Sequence, residues 1–154
     1  MMNRKTNIGK RFIAGIIDYG IIFTVTYLIC MLLGTPTDTV GEYELTGLPV
    51  LIPIAYWLLM TVIIEVSLGA TLGNGIVGLK PVPIKNYNSK ITFSQSLRRH
   101  LLDIADMMLF GIVAIIVIKN TEHRQRIGDI WAGTTVISVK DSENKKIVNT
   151  GSLY

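Results

Sequence analysis

The sequence predicts a mainly α, polytopic helical membrane protein with two long transmembrane helices, a third shorter or re-entrant helical segment, and a small cytoplasmic β-hairpin. Three observations carry that prediction. The chain is 154 residues long and 49% hydrophobic, with a mean hydropathy of +0.45, too apolar for an ordinary soluble domain of its size. It holds two apolar runs long enough to cross a bilayer. The sign of its charge also alternates with those runs. Arg4, Lys5, Lys10 and Arg11 precede the first without an acid, and Asp38, Glu42 and Glu44 follow it without a base. Lys80, Lys85, Lys90, Arg98 and Arg99 follow the second, again without an acid. Short loops on opposite sides of a membrane alternate in this way.

The first run, Ile13 to Leu33, is interrupted by Asp18 and a few Thr and Tyr residues. As a helix it measures about 31 Å, enough for a hydrocarbon core. It is too long for the apolar region of a signal peptide, and Met31-Leu32-Leu33-Gly34 is a poor cleavage site, so it is expected to be retained. The second run, Pro49 to Leu68, carries one formal charge, Glu65. Pro49 suits the first helical turn, and Pro53 should loosen the entry. Positive loops lie inside, which places the N-terminus and the 70–100 loop in the cytoplasm and the 34–48 loop outside.

The third run, Leu101 to Ile118, opens with Asp103 and Asp106, and its uninterrupted part, Met107 to Ile118, spans only about 18 Å as a helix. A simple crossing would carry Lys119, Arg124 and Arg126 outside, against the charge rule. Two readings remain, a full third span or a segment, broken near Gly111, that enters and leaves on the cytoplasmic side; the side of the C-terminus depends on the choice. Between the second and third runs, Ile76 to Ile84 alternates loosely, with Pro81 and Pro83 excluding a regular helix. Asn86-Tyr87-Asn88-Ser89 has turn chemistry and Ile91-Thr92-Phe93 could form a return strand, giving the expected hairpin. Thr134 to Val139 is β-branched enough to add a third strand. Residues 1–140 thus read as one membrane domain and 141–154 as a polar, disordered tail.

The polar residues inside or beside apolar runs are the candidate functional set. Arg11 precedes Asp18 by seven residues and Arg99 precedes Asp106 by seven. Each such pair shares a helix face at a separation of about 10.5 Å, beyond comfortable reach, so each acid is expected to meet a base from another segment. The expected network has Arg11, Arg98, Arg99 and Arg126 neutralising Asp18, Glu65 and Asp106, because unpaired acids at membrane depth are costly. The alternative is that Asp18 and Asp106 are protonated and bonded to backbone or Thr hydroxyls. Arg126 and Asp129 could pair on one helical turn, with Ile127, Ile130 and Trp131 facing the bilayer interface. All of these acids lie in the cytoplasmic half, which speaks against a through-membrane path built from this chain alone.

Other chemistries find little support. Gly69 to Gly78 is glycine-rich but lacks the Lys-Ser/Thr pair of a phosphate loop, so flexible or closely packed backbone is expected there. His100 and His123 have no ligand set at zinc spacing. The lone Cys30 excludes an internal disulfide. No nucleophile, metal set or cofactor loop presents itself, so neither enzymatic activity nor a cofactor is expected, and nothing points to nucleic acid. The bases of the 70–100 loop could hold anionic lipid head groups or merely set topology.

Four motifs in order resemble the RDD family of small prokaryotic membrane proteins, over most of the chain from Arg11 to about Val139. They are Arg11-Phe-Ile-Ala14-Gly-Ile-Ile-Asp18; Glu65 followed by Gly69-Ala-Thr71-Leu72-Gly73 and Gly78-Leu79-Lys80; Arg99 with its following acid; and Arg126-Ile-Gly-Asp129-Ile-Trp-Ala132-Gly133-Thr134. Arg11, Asp18 and Asp129 look like the arginine and two aspartates that name the family. Asn74 departs from it, standing where lysine is common, as does Pro81. The resemblance implies residence in the cell membrane and, less directly, transport of protons, cations or small solutes. The functional set to examine is therefore Arg11, Asp18, Glu65, Arg99, Asp106, Arg126 and Asp129. It would act in a homo-oligomer or with a membrane partner protein; the other reading is a non-transporting scaffold that binds anionic lipid or a protein.

Overall fold

A computed structural model describes residues 6–103 and 112–140. Asp106 and the tail beyond residue 140 lie outside the described residues, as does much of the third apolar run. Two helical stretches, Ile8–Leu33 and Leu48–Leu68, are long and apolar enough to cross a membrane. The first, α1 (Ile8–Leu33), starts five residues before the apolar run, so Lys10 and Arg11 sit within its first turns. Its length, about 39 Å, exceeds a hydrocarbon core. Only Ala14 and Ile22 of α1 are buried, while Phe12, Ile16, Phe23 and Leu32 are exposed.

Beyond Gly34, the acidic loop folds into two short antiparallel strands, β1 (Thr35–Pro36) and β2 (Tyr43–Glu44). Tyr27 of α1 holds this hairpin through an edge contact with Tyr43 and a hydroxyl bond to the Gly41 carbonyl. The second stretch is a relay of helix types. A 3-10 turn at Leu48–Val50, with Pro49 near its start, leads into α2 (Leu51–Leu58). A π-helical turn follows at Leu59–Ile63, then α3 (Ile64–Leu68), closed by Gly69 in the left-handed region. The wide turn brings Thr61 and Val62 inside, and Glu65 follows as a fully buried acid; the Thr61 hydroxyl donates to the Trp57 carbonyl at 2.7 Å. Inserted π turns are rare and gather at functional sites.

After Gly69 a short α4 (Leu72–Ile76) packs on α1. Gly73 allows the contact: a Cβ there would strike the Ala14 carbonyl and the Asp18 carboxylate. Close packing, one of the two readings of the glycine-rich stretch, is what this part of it provides. β3 (Leu79–Pro83) then pairs antiparallel with β4 (Thr134–Ser138), from Leu79 opposite Ser138 to Pro83 opposite Thr134. Pro81 and Pro83 have the same parity, so their missing N–H groups fall on the free edge, and the Ile84 N–H still donates to Gly133. The expected return strand is corrected here. Thr92 is instead the N-cap of α5 (Phe93–Leu101), in a reciprocal box with Gln95, and that local signal overrides the β-branched run before it. Two further helices are α6 (Ile112–Asn120) and α7 (Ile127–Ala132).

Polarity is inside-out. Among the described residues eleven apolar side chains, Pro81 and Pro83 included, are buried against twelve polar or charged ones, while large apolar side chains cover both long helices. A soluble fold buries the opposite set. With two spans whose apolar surface faces outward, this is the arrangement of a membrane protein.

Candidate functional site

The buried polar residues converge where the start of α1, the end of α3, α5 and α7 meet. Arg99 of α5 is the hub and is 1% exposed. One terminal nitrogen lies 2.6 Å from Asp129 Oδ1 and the other 3.3 Å from Glu65 Oε1. The first nitrogen also donates to the Thr134 hydroxyl. The hub exists because α5 and α7 pack almost backbone to backbone: a Cβ on Gly128 would collide with the Arg99 carbonyl. Asp129 is fully buried and also meets Arg11 at 3.2 Å and the Arg126 backbone N–H at 3.2 Å. Arg11 further donates to the carbonyls of Arg124 and Val136, which ties α1 to β4.

A second arm runs from Glu65 along α5. The Ser96 hydroxyl donates to Glu65 Oε2 at 2.6 Å, and His100 Nε2 lies 3.1 Å from the same oxygen. The other ring nitrogen of His100 lies 2.7 Å from Asp103 Oδ2, which also accepts from the Tyr19 hydroxyl of α1. Arg126 closes the arm at 2.7 Å from Asp103 Oδ1. With Arg11, Arg99 and Arg126 facing Glu65, Asp103 and Asp129, the formal charges cancel and leave His100 over. A neutral imidazole has one N–H, and only the doubly protonated ring can donate to two carboxylates at once. Burial opposes charge on His100, but Asp103 and then Glu65 outweigh it and raise its pKa above the ordinary imidazole value. Burial likewise opposes charge on Asp129, and Arg99, then Arg126 and Arg11, hold its carboxyl below the usual range.

Of the sequence-predicted set, Arg11, Glu65, Arg99, Arg126 and Asp129 come together. Asp18 does not join them, a correction to the expected network. Its two oxygens accept the Thr71 hydroxyl and the Gly73 N–H, each at 2.7 Å, and among the described residues it has no basic partner. The first turn of α4 presses against α1 at that point and supplies those donors, so no cation is required. The Thr and backbone bonds are those of the alternative reading. Arg98 is also outside the network, with its guanidinium 5.9 Å from the Trp131 ring centroid. Asp129 is a buried junction rather than half of a surface pair. Tyr19, Ser96, His100 and Asp103 were not in the expected set. Their signal lies in the spacing 96, 99, 100 and 103, a polar stripe of helical period opposite the apolar stripe Phe93, Leu97 and Leu101.

A model of the RDD family matches residues 5–133, the greater part of the chain. The chain belongs to the RDD family. No curated protein and no solved structure matches it. In this RDD chain, two of the three residues that resemble the family's namesakes, Arg11 and Asp129, form an ion pair, while Asp18 seats α4 on α1.

At the opposite end of α1 there is an open cavity of 620 Å³, lined in part by Phe23, Tyr27, Cys30, Glu42 and Glu44. The lining residue nearest the start of α1, Phe23, is exposed and packs at a tilt on Tyr19, with ring centroids 5.8 Å apart. The cavity therefore ends one helical turn, about 6 Å, from the residue that donates to Asp103.

Proposed function

We propose that this protein is a multi-pass protein of the cytoplasmic membrane that moves protons, or exchanges them for cations, with its N-terminus and charged cluster in the cytoplasm. The carrying observation is the hydrogen-bonded chain Tyr19–Asp103–His100–Glu65, which starts one turn from the acidic cavity. Doubly protonated, His100 donates one N–H to each of its two carboxylates, so it carries one proton more than the neutral ring. Arg99 and Arg126 hold those carboxylates from the far side, so a proton leaving the ring changes the balance of the whole cluster. The Tyr19–Phe23 contact is the gate between cluster and cavity. The path uses one chain, although the acids of the spans lie toward one end.

The orientation is supported by where the charges collect. Lys90 bonds the Ser67 carbonyl at the end of the second span, and Arg124 accepts Arg11 through its carbonyl, so bases gather at the cluster end. Glu42 and Glu44 are at the hairpin end. The Arg126–Asp103 ion pair, which brings together residues from either side of the third apolar run, favours the reading in which that run enters and leaves on the cytoplasmic side.

The test is proton flux into vesicles reconstituted with purified protein under an imposed pH gradient, with and without added sodium or potassium. Wild type should carry flux, and Tyr19→Phe and His100→Gln should reduce it to the level of protein-free vesicles. Flux that survives both substitutions would remove the chain from the mechanism. A specific observation favours a second reading, a non-transporting scaffold: Arg11, Glu65, Arg99 and Asp129 knit α1, α3, α5 and α7 together. That reading predicts a folded wild-type protein with no flux.

A further inference from the structure

Helix α5 has the polarity of a soluble amphipathic helix turned around. Ser96, Arg99, His100 and Asp103 point into the cluster and are buried. Phe93 and Leu101 are about half exposed on the other face, with Arg98 beside them. Helix α7 repeats the pattern: Gly128, Asp129 and Ala132 face inward, while Ile130 and Trp131 face outward, each about half exposed. Since α5 and α7 pack on each other, the two outward faces form one apolar surface around Arg98. Arg11, Arg99 and Arg126 all meet carboxylates, but among the described residues Arg98 has no ion-pair partner and lies over the Trp131 ring.

The depth of this surface is set by its neighbours. Lys90, just before α5, bonds the Ser67 carbonyl at the last turn of the second span. Glu65, from the same turn, meets Arg99 and His100 of α5. The α5–α7 layer therefore lies where that span leaves the bilayer. An outward apolar face at that level meets acyl chains, and a half-exposed Trp with a neighbouring Arg suits the headgroup layer. A soluble partner would have to displace lipid from it. A guanidinium lying over an aromatic ring at this distance keeps N–H groups free, and these match phosphate oxygens.

We propose that α5 and α7 lie in the cytoplasmic headgroup layer with this face against the acyl chains, and that Arg98, held over Trp131, binds the phosphate of an acidic phospholipid. The site rests on the membrane reading above but not on transport. One basic residue near a charged surface gives about a fivefold preference for acidic over zwitterionic lipid.

The chain has two tryptophans, which allows separate readouts. Full-length Trp57→Phe and Trp131→Phe variants go into nanodiscs containing lipids brominated at shallow or deep acyl positions. Trp57, about 14 Å from one end of its span and about 17 Å from the other, should be quenched by deep bromines and Trp131 by shallow ones. Native mass spectrometry of protein extracted from equal mixtures of phosphatidylglycerol and phosphatidylcholine should show preferential retention of the former, falling about fivefold in Arg98→Gln. Trp131 of Arg98→Gln should still be quenched, since that residue is exposed and outside the buried cluster. If Trp57 is quenched but Trp131 is not, something other than lipid covers this face and the inference is overturned. Retention of the preference in Arg98→Gln overturns it too. If neither tryptophan is quenched, the membrane reading itself fails.

Discussion

The same two long helices end in opposite ways. At the cluster end, three arginines, three carboxylates and a histidine are drawn inside and bonded to one another across α1, α3, α5 and α7. At the hairpin end, the acids stay at the surface, the strands are two residues long, and the tie to α1 is one aromatic contact and a 3.4 Å hydrogen bond. The difference follows from where partners exist. A carboxylate leaves water only if cations and donors replace it, and such partners are concentrated in α5 and α7. Stability and the proposed proton chemistry therefore share one end, while the other is held by few contacts.

The largest effect that tests this contrast is Arg99→Ala. The substitution leaves Glu65 and Asp129, both fully buried, without their shared cation. Removing one partner of a buried ion pair costs about 3–5 kcal/mol, because the remaining charge stays buried without compensation. We expect a large fall in the thermal midpoint in mild detergent, or failure to fold. A midpoint within a few degrees of wild type would mean that the cluster is not what holds this end together.

The sequence made the contrast only half legible. The spans were readable because length and hydropathy alone define them, and the charge alternation marked their ends. Arg11 and Arg99 were recognisable as bases beside apolar helices. Their partners were not, because Asp129 reaches Arg11 across 118 residues and nothing local encodes that approach. The decisive local cue, Gly128 against the Arg99 backbone, looks in sequence like one glycine among 14. The same holds for β3, whose alternation suggested a strand but whose partner lies beyond α5 and α7 rather than in the adjacent run 91–93. The π turn at Leu59–Ile63 contains no proline or glycine that could have announced it. Asp18 misled because an acid in an apolar run implies a cation, and here backbone and hydroxyl donors take that place.

Acidity offers a smaller test of the cluster end, and its two arms have different causes. His100 has a raised pKa in the folded protein, so its contribution is full below about 6.5, the ordinary imidazole value, and is lost as pH rises through the raised one. Asp129 is depressed, so its contribution is full above about 3.9 and is lost as pH falls through the lowered value. Thermal midpoints in detergent should form a plateau between those limits and fall on both sides. His100→Gln should flatten the alkaline fall and leave the acid one. Were the alkaline fall unchanged, the proton would not reside on that ring, and the proposed relay would lose its centre.

The smallest effect on stability is expected from the hairpin end, and it is the most informative about function. Glu42 and Glu44 are exposed, and the only bond to either carboxylate among the described residues is a 3.4 Å contact from the Thr37 hydroxyl to Glu42. Replacing both with glutamine should leave the thermal midpoint unchanged, as surface changes away from packed features do. Both residues nevertheless line the cavity that reaches Phe23, so removing their charge lowers the local concentration of protons and cations at its mouth. The double variant should therefore slow flux most at low ionic strength, where the surface field is least screened, and approach wild type in high salt. A change in flux without a change in stability separates the path from the scaffold, which no substitution in the cluster can do. Equal flux in wild type and double variant at every salt concentration would confine the chemistry to the cluster end and leave the cavity without a part in it.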